Sequence, residues 1–145
     1  MQQNLFTEQN KQQILNDLFL AYFDARKNKR NTVNALAFEK NLETNLFELY
    51  EKIINYNYKP KSSICFMVNK PVKREIFAAD FRDRVVHHLI YNYISPIFEK
   101  TFINDSYSCR KGKGTHYGIK RIDHFIRSCS ENYTKDCYIL KLDIR

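Results

Sequence analysis

The chain of 145 residues has the usual length of one domain, and its 43% hydrophobic content is enough to build a packed core. The chain has only three glycines and three prolines, and such a low content argues against an all-β fold with many tight turns. The sequence contains no run of about 18 apolar residues that could cross a membrane, and its first residues lack the pattern of a secretory signal.

The formal net charge is +8, and the excess of positive charge lies in the middle of the chain. Residues 59–121 contain 13 Lys and Arg against 5 Asp and Glu, whereas the rest of the chain is neutral overall. A solvated surface could carry such a charge, but the uneven distribution favours a surface for nucleic acid or polyphosphate.

Helical spacing of apolar residues predicts two long helices in the first 55 residues. The first is expected to be capped by Thr7 and to reach about Lys27, and the second to span residues 33–55. Two short runs of β-type residues follow, 64–68 and 74–79. Because the segment between them carries lysines, we expect a hairpin with a basic tip.

The second half of the chain is predicted to contain two more helices and a final strand. Asp80 is expected to cap the third helix, in which Pro96 fits a kink or a new helical turn. The loop 103–114 holds two of the three glycines, and Thr115 is expected to cap the fourth helix. The last strand covers residues 137–144. The order helix, helix, hairpin, helix, loop, helix, strand predicts an α+β fold.

Two clusters of basic residues are candidates for binding anions. Lys70, Lys73 and Arg74 at the hairpin could hold a polyphosphate, with the arginine presenting a planar fork. The second cluster is the glycine-containing turn, which would suit a phosphate backbone or would simply be a flexible basic loop. Its basic residues are Arg110, Lys111 and Lys113.

Other polar residues have simpler interpretations. Asp83, which has arginines on both sides, is expected to form surface ion pairs, and the adjacent His87 and His88 to be core or surface histidines. Asp143 could bind a divalent metal, but one carboxylate does not make a metal site. The four cysteines form no C-x-x-C pair, so we expect free thiols in a reducing cytoplasm.

The ordered motifs from residue 60 to residue 145 resemble the amino-terminal part of bacterial reverse transcriptases. The matching segments are "REI", "DRVVH", "ISPIFE", "DSYSCRKGKGTH" and the closing "YILKLDIR". The resemblance is closest to the enzymes of diversity-generating retroelements and next to those of group II introns. It implies a right-handed polymerase fold: an N-terminal helical segment in residues 1–58, mostly helical fingers with a hairpin in residues 59–135, and the first strand of a palm sheet in residues 136–145.

The resemblance also implies roles for single residues. Arg74 matches the fingers arginine that contacts the triphosphate of the incoming nucleotide, and either Lys70 or Lys73 matches its companion lysine. The turn 110–114 matches a segment that lies along the template or near the nucleotide. Asp143 matches the first palm aspartate, a ligand of both magnesium ions.

By this resemblance the parent protein is a cytoplasmic RNA-directed DNA polymerase that uses Mg²⁺ for two-metal nucleotidyl transfer. Its partners would be an RNA template, a DNA or RNA primer, deoxynucleotides and a small basic accessory protein. The family's later motif, with an aromatic residue and paired aspartates, is missing here. We therefore expect this chain to be a fingers fragment that cannot polymerise DNA alone.

Two alternatives from other classes remain open. One is a stand-alone basic domain that binds nucleic acid without catalysis, and the other is a helical domain whose basic face meets a protein partner. Nucleic-acid binding that weakens steeply with salt would favour the first over the second. Templated synthesis by a longer product of the gene would favour the polymerase over both.

Overall fold

The structure is a computed structural model in which residues 8–27 and 31–143 are described. These residues form five helices and a two-stranded antiparallel sheet, which confirms the predicted α+β class. The elements are α1 (Glu8–Arg26), α2 (Val33–Glu39), α3 (Leu42–Ile54), β1 (Ile64–Val68), β2 (Arg74–Ala78), α4 (Phe81–Glu99) and α5 (Thr115–Cys129). The predicted Thr7 cap and residues 144–145 lie outside the described residues.

The chain divides into two compact units, Met1–Phe98 and Glu99–Arg145. The two units are defined by how densely each one packs internally, and not by any function. The boundaries predicted after residues 58 and 135 concern subdomains of a polymerase, and they stay a prediction.

The first unit contains the hydrophobic core. Three aromatic rings join helices α1, α2 and α4: the Phe38 and Phe81 centroids are 5.5 Å apart, and Tyr22 lies 6.4 Å from Phe38 and 6.3 Å from Phe81. Phe81 meets the other two rings edge-to-face, whereas Tyr22 and Phe38 are stacked, and aromatic pairs of these kinds add about 0.5–1.5 kcal/mol each beyond the area that they bury. The other buried apolar side chains are Leu18, Ala21, Ala25, Ala35, Leu46, Leu49, Val85, Val86 and Leu89.

The prediction of one continuous helix over residues 33–55 was wrong, because the chain turns between α2 and α3. Asn41 has φ −130° and ψ 51°, which is not helical. The side-chain amide of Asn45 donates a hydrogen bond of 2.8 Å to the carbonyl of Phe38, one of the carbonyls that the end of α2 leaves without a helical partner. Apolar periodicity continues through the turn, so the sequence pattern gave no sign of it.

The predicted hairpin is confirmed, with Ile64 opposite Ala78 and Val68 opposite Arg74. The second strand ends one residue earlier than expected. Both faces of the hairpin are largely open to solvent, since Phe66 is 47% exposed on one face and Phe77 is 68% exposed on the other.

The predicted cap of α4 is also confirmed. The Asp80 carboxylate accepts a hydrogen bond of 3.0 Å from the backbone N–H of Arg82, which satisfies one of the free donors at the start of the helix. The helix continues through Pro96 to Glu99.

Two predictions in the second unit were wrong. Gly114, with φ 151°, occupies the N-cap of α5, and Thr115 is the first helical residue rather than the cap. Residues 136–143 form no strand, and within the described chain nothing pairs with them. A strand exists only when a neighbour completes its hydrogen-bond ladder, and alternating side chains cannot supply that neighbour. The predicted first palm strand is therefore not observed in these residues.

Candidate nucleotide and nucleic-acid interface

The tip of the hairpin presents three positive charges to solvent. Lys70 and Lys73 lie in the connection between the strands, and Arg74 is the first residue of β2. All three side chains are exposed, and none forms an ion pair or hydrogen bond with another described residue. Their charges are therefore available to an anion from outside.

Arg74 has the best-defined position of the three because it belongs to the strand ladder. It pairs with Val68, and the next residue, Glu75, pairs with Met67. Successive residues of a strand point to opposite faces, so the Glu75 carboxylate lies on the face away from the Arg74 guanidinium.

Arg110, which was predicted to contact nucleic acid, forms several hydrogen bonds with residues of the second unit. Its guanidinium donates to the Glu99 carboxylate at 2.8 and 3.0 Å, and to the carbonyls of Ile103 at 2.9 Å and Ser106 at 3.1 Å. The side chain is only 10% exposed. This guanidinium fixes the loop before α5, and the predicted contact of Arg110 with nucleic acid stays a prediction.

The Lys113 side chain also forms hydrogen bonds within the second unit, whereas the Lys111 side chain is exposed to solvent. The Lys113 ammonium donates to the carbonyl of Asn104 and, at 3.0 Å, to the side-chain oxygen of that residue. It also lies 5.6 Å from the centre of the Tyr117 ring. The Lys111 side chain is exposed and contacts no other charged group in the described chain. Of the three basic residues predicted at this turn, Lys111 is the one whose side chain is exposed, whereas those of Arg110 and Lys113 are half-buried in the described chain.

A carboxylate network that the sequence did not suggest holds the same loop against α5. The Arg121 guanidinium donates to both oxygens of Asp105, at 2.7 and 3.2 Å, and the Tyr107 hydroxyl donates to Asp105 at 2.6 Å. These hydrogen bonds, that of Arg121 above all, lower the pKa of Asp105 to about 2. Asp105 and Arg121 are 16 residues apart in the chain, and a local sequence pattern cannot show that two residues so far apart will pair.

The prediction that Asp83 forms a surface ion pair was wrong, because this residue is 1% exposed. Its carboxylate accepts hydrogen bonds from the Tyr58 hydroxyl at 3.0 Å, the Lys61 backbone N–H at 2.7 Å and the Arg82 guanidinium at 2.9 and 3.0 Å. The network fixes the segment that leads into β1. A burial signal did exist in the sequence, since Asp83 lies three positions before Val86, and residues three apart share one face of a helix.

The same network shifts two pKa values in opposite directions. Burial disfavours the charged form of Asp83, but the hydrogen bonds from Lys61, Arg82 and Tyr58 outweigh it and lower the pKa of the Asp83 carboxyl below its usual value. Burial and the neighbouring carboxylate raise the pKa of Tyr58 to about 12.

Asp143, the predicted metal ligand, lies in the unpaired segment 136–143 and is exposed. Within the described residues, no group of three His, Cys, Asp or Glu side chains comes together in a way that could hold a metal ion. A two-metal centre needs further carboxylates beside the first. The described residues therefore do not fit a magnesium pair by themselves.

None of the described helices has the length and apolar character needed to cross a membrane.

Comparison of the chain with protein-family models and with curated proteins gave no match.

Proposed function

We propose that this chain is the nucleotide- and template-binding fingers part of an RNA-directed DNA polymerase. The observation that carries the proposal is the hairpin tip, where Lys70, Lys73 and Arg74 are exposed and have no ionic partner in the described chain. Uncompensated charge of one sign on a defined turn suits a polyphosphate or a nucleic-acid backbone.

The residues divide between two anionic partners. Arg74, held in the ladder, offers a planar fork to the triphosphate of an incoming deoxynucleotide, with Lys70 or Lys73 beside it. Lys111 faces the template backbone. In the complete enzyme Asp143 would be one ligand of Mg²⁺, which would supply Lewis acidity for phosphoryl transfer, and the other ligands would have to come from outside the described residues.

A second candidate function is a basic nucleic-acid-binding domain without catalysis. It is favoured by the isolation of Asp143, since the described residues bring no other metal ligands to it.

A substitution of Asp143 distinguishes the two candidate functions. In a product of the gene extended by about 100 to 200 residues, a domain size typical of proteins, Asp143→Asn should abolish magnesium-dependent synthesis and leave RNA binding intact if the chain belongs to a polymerase.

The hairpin is tested on the chain itself by titrating a labelled single-stranded RNA at several salt concentrations. For single strands the slope of log K against log salt changes by about 0.7 for each phosphate contact. If the hairpin binds nucleic acid, as in the second candidate function, the combination of Lys70→Ala, Lys73→Ala and Arg74→Ala should therefore reduce the slope by about 2. The matched control, with the same loss of charge outside the basic region, combines Lys27→Ala, Lys40→Ala and Lys52→Ala.

Equal changes of slope in the two triple variants would contradict a role of the hairpin in binding RNA, which the second candidate function requires. In the extended polymerase, Arg74→Ala should raise the apparent KM for deoxynucleotides more than it weakens template binding. Equal losses in both would show that Arg74 does not contact the nucleotide.

A further inference from the structure

Two of the four cysteines lie on one cavity in the second unit. Cys129 is the last residue of α5, and Cys137 follows eight positions later in the extended segment. The cavity has a volume of about 270 Å³ and is lined by Ile122, Phe125, Ile126, Cys129, Cys137, Tyr138 and Ile139. Cys129 is exposed and Cys137 is half-buried, so a small reagent can reach the pair.

A defined turn returns the chain to this cavity. Residues 131–133 are all in the left-handed region, with φ values of 49°, 58° and 67°, which is unusual for Glu and Tyr. Hydrogen bonds to the buried Ser130 hold the turn: its hydroxyl accepts from the Tyr133 N–H at 2.8 Å, and its carbonyl accepts from the N–H groups of Thr134 and Lys135, both at 2.9 Å. The turn therefore brings Cys137 back to Cys129 while both are reduced.

Cys129 lies close enough to Cys137 to affect the pKa of its thiol. A hydrogen bond with Cys129, assisted by burial, raises the pKa of the Cys137 thiol. Neither remaining cysteine lines this cavity: Cys65 lies in β1, and Cys109 lies in the loop before α5, where its sulfur accepts from the Ser108 hydroxyl at 3.8 Å.

We propose that Cys129 and Cys137 are a modification site that forms a reversible disulfide by exchange with a low-molecular-weight disulfide such as glutathione disulfide. The exposed Cys129 thiolate attacks the glutathione disulfide, its S–S bond breaks, and one glutathione thiolate leaves. The Cys137 thiolate then attacks the mixed disulfide at the Cys129 sulfur and displaces the second glutathione. Two protein thiols lose two electrons, the glutathione disulfide gains them, and the two protons end on the two glutathione thiols.

The disulfide would fasten the segment 136–143 to the end of α5. This segment has no strand partner among the described residues, so the bond would be its one covalent attachment outside the backbone. The inference rests on the cavity and the turn, and it does not depend on the proposed polymerase function.

The experiment treats the reduced chain with glutathione disulfide and follows it by mass spectrometry of the intact protein and of tryptic peptides. The expected result is a loss of two hydrogen atoms and a link between the peptides 128–135 and 136–141. A chain with Cys65→Ser and Cys109→Ser should form this link equally well. Adding Cys137→Ser to that chain should leave one glutathione on Cys129 and no link, because the thiol that displaces the second glutathione is then missing.

A repeat of the experiment in guanidinium chloride separates the folded geometry from mere closeness in sequence. The turn should make the link form at least about tenfold faster in the folded chain, because it raises the effective concentration of one thiol near the other. Equal rates in both conditions would overturn the proposal. So would glutathione on both cysteines without a link, or links to Cys65, to Cys109 or to a second chain in equal yield.

Discussion

At the scale of single residues, Asp83 shows how a charged side chain can belong to the core. A buried carboxylate is costly unless its oxygens are satisfied. Here the four hydrogen bonds from Tyr58, Lys61 and Arg82 satisfy them, and they join the chain before β1 to the start of α4. Asp83 therefore acts as an internal support for the hairpin that carries Arg74.

Replacing Asp83 by Asn should destabilise the fold by about 3–5 kcal/mol, because it leaves the Arg82 charge without its buried partner and turns an amide N–H₂ towards donors. Urea unfolding at pH 7 measures this. The control is Asp136→Asn, since Asp136 is exposed and should tolerate the change within about 0.5 kcal/mol.

The effect of Asp83→Asn should depend on pH in a definite direction. The folded state lowers the pKa of Asp83, so its stabilisation is fully present above the unfolded value of about 3.9 and is lost as the pH falls through the folded value. The difference between the variant and the natural chain should shrink below about pH 4. A difference that stays constant from pH 7 to pH 3 would show that the charge of Asp83 is not what stabilises the fold.

At the scale of elements, α5 depends on a close approach between a glycine and an aromatic ring. Gly118 is buried within the helix, and a Cβ placed there would lie 3.0 Å from the ring of Tyr107. The ring cannot move easily, because its hydroxyl is bound to Asp105, which is itself paired with Arg121. The helix and the preceding loop are thus packed together through a residue without a side chain.

Replacing Gly118 by Ala should lower stability by about 1 kcal/mol. Overpacking costs about 1–3 kcal/mol, whereas the better helix propensity of Ala returns about 1 kcal/mol. Thermal unfolding followed by circular dichroism checks this, and Ser128→Ala, at an exposed position of the same helix, should give a small increase instead. A gain of stability in Gly118→Ala would contradict this, because it would mean that the Tyr107 ring moves away and makes room for the added methyl group.

The elements also show where local patterns succeed and where they do not. The strand β1, the start of β2 and the Asp80 cap were predicted correctly, because each depends on residues within a few positions of one another. The break between α2 and α3 could not be predicted, because its apolar spacing matches that of a continuous helix. The extended segment 136–143 looked like a strand because a strand's pattern does not reveal whether a partner is present.

At the scale of the whole molecule, the two units differ in how much apolar surface they bury. Every buried apolar side chain of the core lies in the first unit. Among residues 99–143 only Gly118 and Ser130 are buried, and one face of α5 stays open, with Ile119 59%, Ile122 52% and Phe125 44% exposed. Burial of apolar surface is the main stabilising contribution to a fold, so the second unit should be the less stable.

Hydrogen exchange should show this difference directly. Backbone amides of α1, α3 and the first half of α4 should exchange slowly, whereas those of α5 should exchange at least about tenfold faster because the helix opens locally at lower cost. Exchange at neutral pH, read by mass spectrometry of peptides, measures both units in one sample. Equal protection of α5 and α3 would contradict the inference that the second unit lacks a core of its own.

The sequence by itself determined the fold class, the positive charge of the middle region and the exposed hairpin tip at Lys70, Lys73 and Arg74. These properties follow from composition, from periodicity and from turns, all of which act over a few residues. The tertiary structure alone decided that Asp83 is buried, that the Arg110 guanidinium pairs with the Glu99 carboxylate, and that Cys129 and Cys137 line the same cavity. The physical reason is that burial and pairing depend on which distant residues the fold brings together, and a local pattern contains no information about that.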